Sequence, residues 1–328
     1  MKIIKLTTPW SHDYYSQTPA GRGIYEEFTF EINNDCNKCD FWIIWGGLKN
    51  EEKVKVKSGV VIYVTDEAYD QRKFNEEFLD QFQVIATVRK DLDKGIILPI
   101  HEFAPWYFKK SYDFLMQLQP PTKSKSIAVI TSDLSWLPGH KKRLAFVEAL
   151  MKEFNGRIDL YGRGFNEIQD KYDALIDYSY SIAIENNSLP GYFTEKISEC
   201  FLTYTMPVYY GCPDIQKYYD RRSYMSIDIN NYDMAFNKIN ELISKDPYSN
   251  HFDYIVESRK RYLTQYHMFP AIIKLLERIM QINSTLKKKI PVMVIPEKNF
   301  INNPANLQAT KVVQSSRILE KILKTFNR

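Results

Sequence analysis

Residues 178–211 read YSYSIAIENNSLPGYFTEKISECFLTYTMPVYYG. The stretch opens on an apolar run, YSIAI, and closes on another, MPVYYG. Between them Pro190-Gly191 marks a turn, and TEKISECFL has a helical pattern with Thr194 as its N-cap residue. Strand, polar loop, helix and strand in that order form the unit of a parallel sheet with helices on its faces. Working outward, FWIIW (41–45), VVIYV (60–64), QVIATV (83–88), IAVITS (127–132), RIDLYG (157–162) and YMSIDI (224–229) are further apolar strand candidates between helical patterns. Near-continuous apolar strands belong to sheets buried on both sides. The expected class is α/β.

A length of 328 residues with 44% hydrophobic content suggests two domains. QLQPPTKSKS, between Leu115 and Ile127, cannot continue a helix, so 119–126 is expected as the linker between domains 1–118 and 127–283. After it, Leu144, Phe146, Val147, Leu150, Met151 and Phe154 recur at the three-to-four spacing of an amphipathic helix. Residues 284–328 are expected as a basic tail, extended beyond Ile290 and ending in an amphipathic helix. The tail has nine basic and two acidic side chains, a net +7, which leaves −3 for the rest of a chain whose total is +4. That balance does not describe a nucleic-acid binder. Four cysteines do not make a disulfide framework, and Cys36-Asn-Lys-Cys39 without a second ligand pair is read as structural. MKIIKLTTPW has no signal-peptide core and no apolar run approaches ~20 residues, so a cytoplasmic, reducing location is expected.

Open α/β sheets bind ligands beyond the carboxyl ends of their strands, where ENNSLPGYFTEK (185–196) falls. A helix N-terminus followed by Lys196 suits a phosphate. The same residues could also be no more than a capped helix after a loop, with Glu195 favouring its dipole. Tyr-Gly-Arg-Gly at 161–164 lacks the third glycine of a dinucleotide fingerprint, which argues against a dehydrogenase.

The segment 178–215 resembles the donor-binding signature of family 10 glycosyltransferases, the α-1,3/1,4-fucosyltransferases. Glu185, Asn186, Tyr192, Thr194, Glu195, Lys196, Pro207 and Gly211 all fall in its register, HKKRLAFVEAL is similar to the helix carrying its phosphate-binding arginine, and YGRG matches its glycine segment. The resemblance covers about 127–229. It implies a GT-B fold, two Rossmann-like domains facing across a cleft, with GDP-fucose held by the C-terminal one. Arg143 and Lys196 would meet the diphosphate, while Glu185, Asn186, Tyr192 and Glu195 would line the donor pocket. Two cations at the leaving group would do the task a metal does elsewhere, so no metal or cofactor is expected.

The implied reaction is an inverting transfer of fucose to a glycan hydroxyl, α-1,3 in type, which needs a base on the N-terminal domain. Glu67, with Asp66 in reserve, follows VVIYV and is expected in that role. Either acid could instead cap a helix. Trp10, His12 and Arg22 lie in a polar-aromatic loop that could face the acceptor. The expected acceptor is an oligosaccharide or lipid-linked glycan such as lipopolysaccharide, with peripheral membrane contact through 306–328, unless the apolar stripe of that helix docks on this protein's own domains or on a second copy. The same fold using another nucleotide-activated sugar, or a non-catalytic sugar-nucleotide-binding protein, would share most of these features.

Overall fold

Phe41–Trp45 and Val61–Val64 are buried at every position, as central strands covered on both faces must be. The computed structural model of the chain describes residues 1–65, 72–101, 103–282 and 290–302. Seven strands lie side by side in the order Ile24–Tyr25, Phe28–Ile32, Lys2–Thr7, Phe41–Trp45, Val61–Val64, Val84–Ala86 and Ile96–Leu98. From Phe28–Ile32 onward every neighbouring pair is parallel. Tyr63 stacks on Phe82 with centroids 4.8 Å apart and meets Phe78 edge-on at 5.3 Å. These rings anchor the short helix Glu76–Leu79, whose N-cap Asn75 accepts the Phe78 N–H.

A second sheet runs Asp159–Tyr161, Lys125–Ile130, Tyr178–Ile184, Met206–Tyr210 and Met225–Ser226, again wholly parallel. All seven residues of Tyr178–Ile184 are buried. The helix Pro138–Phe154 buries Phe146, Val147, Leu150 and Phe154 in the core that this sheet shares. Complete burial of a side chain such as Phe146 contributes about 2–3 kcal/mol.

Among the described residues, 1–12, 25–99 and those from 272 onward form one compact unit, and 13–24 with 100–271 form the other. The expected limits at 118 and 127 do not coincide with these. QLQPPTKSKS lies inside the second unit: Leu118 O accepts Tyr204 OH at 2.9 Å, and Lys123 Nζ donates to Ile176 O and Thr203 O, both at 2.8 Å. Its prolines end the helix Tyr112–Gln117 without freeing the chain. The expected tail also differs at its start, because Ile290–Val294 pairs antiparallel with Glu52–Val56 in a three-stranded sheet completed by Lys38–Cys39. Val294 and Ile295 are buried there, and Gln81 exchanges hydrogen bonds with the Ile295 backbone at 2.8 and 3.0 Å. The expected helix within 306–328 lies outside the described residues. Cys39 is buried in the first unit's core, in keeping with a structural role for the CNKC stretch, and all four cysteines are free thiols.

Candidate active site

The site begins where the buried strand Tyr178–Ile184 ends. Glu185, the next residue, is 1% exposed, a costly place for a carboxylate unless it is paired. It accepts the Thr194 N–H and the Thr194 hydroxyl, each at 2.8 Å, and lies 3.3 Å from Lys196 Nζ. Glu185 therefore fastens the first turn of the helix Glu195–Leu202 to the end of the strand. Gly211 makes room for it, since a Cβ there would stand 2.4 Å from the Glu185 Cγ. Pro190-Gly191 turns the intervening loop at φ +75°, and Asp214 accepts the Gly191 N–H at 2.7 Å.

The helix Glu195–Leu202 carries a second carboxylate on its buried side. Glu195 and Glu199 are one turn apart, and Lys171 reaches both, at 3.7 and 3.0 Å. Glu199 also accepts the Tyr107 N–H at 2.7 Å. Burial works against the charge of Glu195, but Lys196 and Lys171 outweigh it and hold that carboxyl at about 2. Burial, reinforced by Glu195, keeps Glu199 above the usual carboxylate range although Lys171 pulls it down. Burial disfavours the charge of both lysines, yet the carboxylates raise both above an ordinary lysine.

Arg143 differs from these lysines. It sits on the buried face of Pro138–Phe154 at 7% exposure and donates to the side-chain oxygen of Asn186 and, at 3.5 Å, to the Ser132 carbonyl. Neither partner is charged. Its Nε has no partner at all, and the Thr131 hydroxyl and His140 Nδ1 are likewise buried and unpaired. Gly139 lets the helix start close on the loop, because a Cβ there would stand 1.9 Å from the Asn186 carbonyl oxygen. Gly162, at φ +121°, packs as closely against Thr131 O. Arg143, Thr131, Ser132, Lys171, Glu195 and Lys196 share the wall of a cavity of about 320 Å³. That volume falls in the range of small-ligand pockets.

Of the residues expected from sequence, Arg143, Glu195 and Lys196 line this cavity, and Asn186 joins it through Arg143. Glu185 lies behind the wall as a holder of the helix, and Tyr192 is 3% exposed and is not part of the lining. Asp66 and Glu67 lie outside the described residues. Trp10 and His12 belong to the first unit and Arg22 to the second. Lys171 and Glu199 are additions that the sequence expectations lack. Glu199 carries a legible signal, an acid on the apolar side of TEKISECFL four residues after Glu195, which a buried helix tolerates only beside a cation. The metal-free expectation also supposes that the chain has no Asp-x-Asp triplet; Asp91-Leu92-Asp93 is one, with Asp91 gripped by Arg89 at 2.7 and 3.0 Å. Among the described residues no group of three His, Cys, Asp or Glu side chains is placed to hold a metal ion.

Known proteins resemble the chain in sequence and in fold. An α-(1,3)-fucosyltransferase of Helicobacter pylori is 32% identical over 80 residues, 24% of this chain and 16% of its own. A fucosyltransferase-like protein of Arabidopsis thaliana is 34% identical over 110 residues, 33% of this chain and 21% of its own. The chain thus matches about a sixth to a fifth of these relatives' lengths. A crystal structure of an α1,3-fucosyltransferase with GDP superposes with a TM-score of 0.53 at 18% identity, covering 88% of this chain and 93% of the other. That likeness shows the fold, an α/β architecture of the GT-B type. Residues 120–281 match the C-terminal domain of glycosyltransferase family 10 (fucosyltransferase), and that segment belongs to this family.

Proposed function

We propose that this chain is an inverting glycosyltransferase that moves fucose from GDP-fucose to a glycan hydroxyl, α-1,3 in type. The observation that carries the reading is Arg143, a buried guanidinium without a carboxylate partner on the wall of a 320 Å³ cavity. Burial lowers the proton affinity of this guanidinium although Glu185 and Glu195 act against it, and a diphosphate would supply the rest of the missing charge. The solved fucosyltransferase of similar fold holds GDP, which gives that anion a chemical identity.

In this reading Arg143 and Lys196 take the charge that develops on departing GDP, the work of an electrostatically prepared site. Arg143 contributes more, because Lys196 already faces Glu185 at 3.3 Å and Glu195 at 3.5 Å. Glu195 and Asn186 set the orientation of these two cations, and Tyr192 supports the loop from behind. Glu67, or Asp66, takes the acceptor's proton. The acceptor is an oligosaccharide or lipid-linked surface glycan such as lipopolysaccharide, and the basic segment 306–328 meets an anionic membrane on the cytoplasmic side. Removal of 300–328 should then abolish sedimentation with anionic liposomes while turnover in solution persists.

Calorimetry with GDP, GDP-fucose and other nucleotide sugars, followed by turnover on an oligosaccharide panel, tests the assignment. GDP should bind without added metal and EDTA should leave turnover intact. Binding of a different nucleotide sugar in preference would move the donor to another class. Binding without turnover on any acceptor would favour a sugar-nucleotide-binding protein.

A further inference from the structure

Arg143 accounts for one unpaired buried nitrogen at the site, but His140 presents another. It is 6% exposed, its Nδ1 has no partner, and it stands one helical turn before Arg143 on the same buried face of a 17-residue helix. Buried polar atoms are nearly always satisfied, so an unpaired one on the buried face that carries Arg143 marks a missing group, although His140 itself is not among the residues lining the cavity. The helix start offers no substitute, because Leu137 at the N-cap position has no side-chain oxygen for the leading N–H groups.

Two cations from different elements act on His140 electrostatically, Arg143 on its own helix and Lys196 at the start of Glu195–Leu202. The nearby carboxylates Glu185 and Glu195 are already engaged with Lys196. We infer that His140 is a third ligand of the donor's diphosphate and that it takes up a proton as the nucleotide sugar binds. This deepens the donor reading above and rests on it. In the empty site burial, then Arg143 and Lys196, lower the imidazole's affinity for a proton, so it is neutral near pH 7. A diphosphate against Arg143 reverses the local sign of charge, which favours the imidazolium. Nδ1–H then donates to a phosphate oxygen, and the positive charge that His140 brings to the site exists only while the anion is there. Such an arrangement avoids a third permanent buried cation in the empty protein.

The test uses the full-length chain and GDP-fucose, whose diphosphate diester has no proton to lose near neutrality. Calorimetry at pH 7.5 in buffers of differing ionisation enthalpy should report net proton uptake, and affinity should fall by up to about tenfold per pH unit above neutrality. His140→Asn keeps a hydrogen-bonding side chain but cannot titrate. It should bind GDP-fucose several-fold more weakly, with a buffer-independent enthalpy and an unchanged melting temperature. Buffer-independent binding by the wild-type chain would overturn the inference while leaving the donor reading intact. Uptake that persists in His140→Asn would also overturn it and would place the proton on Glu199. Failure of the wild-type chain to bind GDP-fucose would remove both.

Discussion

Arg89 and Arg143 are both buried, at 4% and 7% exposure, each beyond the carboxyl end of a parallel sheet in its own unit. Arg89 is fully engaged. It grips Asp91 through two nitrogens, donates to Arg72 O at 2.7 Å and lies over the Phe74 ring at 4.7 Å. Arg143 has an amide oxygen, a distant carbonyl and an idle Nε. The first side chain ties loops of the fold together, and the second carries a burial cost that Glu185 and Glu195 offset only in part. A buried charge in itself therefore identifies no site here. Only the incomplete set of partners distinguishes the two positions, and that feature belongs to the folded chain.

The largest expected effect separates chemistry from binding across the two units. Glu67→Gln should lower turnover by about 10²–10⁴-fold, the usual contribution of a general base, while GDP affinity, a property of the Arg143 region, stays unchanged. A rate loss confined to Asp66→Asn would shift the base by one residue, and unchanged rates in both would place it elsewhere.

Next comes Glu185→Ala, which leaves Lys196 with Glu195 alone and strips Thr194 of two hydrogen bonds. Breaking a buried pair by removing one partner costs about 3–5 kcal/mol, so urea denaturation should show a loss near that size. A loss under about 1 kcal/mol would mean that Glu185 does not hold the helix.

The two arginines can then be compared directly. Arg143→Ala should weaken GDP binding by about 1.5–3 kcal/mol, as expected for hydrogen bonds to a charged group, with little change in melting temperature. Arg89→Ala should do the opposite, with lower stability and unchanged GDP affinity. If both variants melt early and both bind GDP normally, the distinction drawn from their partners is wrong.

Much of this architecture is legible in the amino-acid sequence, for a physical reason. Strands buried on both faces must be apolar throughout, and FWIIW and YSYSIAI have little freedom to be otherwise. The 185–196 loop is legible for a related reason, because its polar residues sit at fixed offsets between two such strands. Lys171 is not legible, since it is paired by the fold with acids 24 and 28 residues away. Val294 hides its place too: PVMVI has the alternation of a strand, but nothing local names Glu52–Val56 as its partner. The domain limits fail at the prolines because Pro120-Pro121 ends a helix in the same way whether or not the chain then leaves the domain.

The smallest expected effect lies at the rim of the same loop. Asp214 accepts the Gly191 N–H at 2.7 Å, the Cys212 thiol at 3.0 Å and, at 2.9 Å, the Lys217 ammonium. Burial opposes its ionisation, yet these three donors outweigh burial and hold the carboxyl at about 2, below its ordinary 3.8. A carboxyl depressed in the folded state adds stability that is fully present above the unfolded value and is lost as pH falls through the folded one. Its contribution should therefore be complete at neutral pH and should disappear between about pH 4 and pH 2, with a size on the order of 1–2 kcal/mol. Asp214→Asn retains an acceptor for Gly191 but does not titrate. Its unfolding free energy should lie slightly below wild type at pH 6 and converge on it by pH 2, with donor affinity reduced no more than a few-fold. Parallel curves across that window would mean that Asp214 has no special hold on the Gly191 turn, and the order of the loop would then rest on its other contacts, those of Glu185, of Arg143 with Asn186 and of Ser188 with Gly211 O.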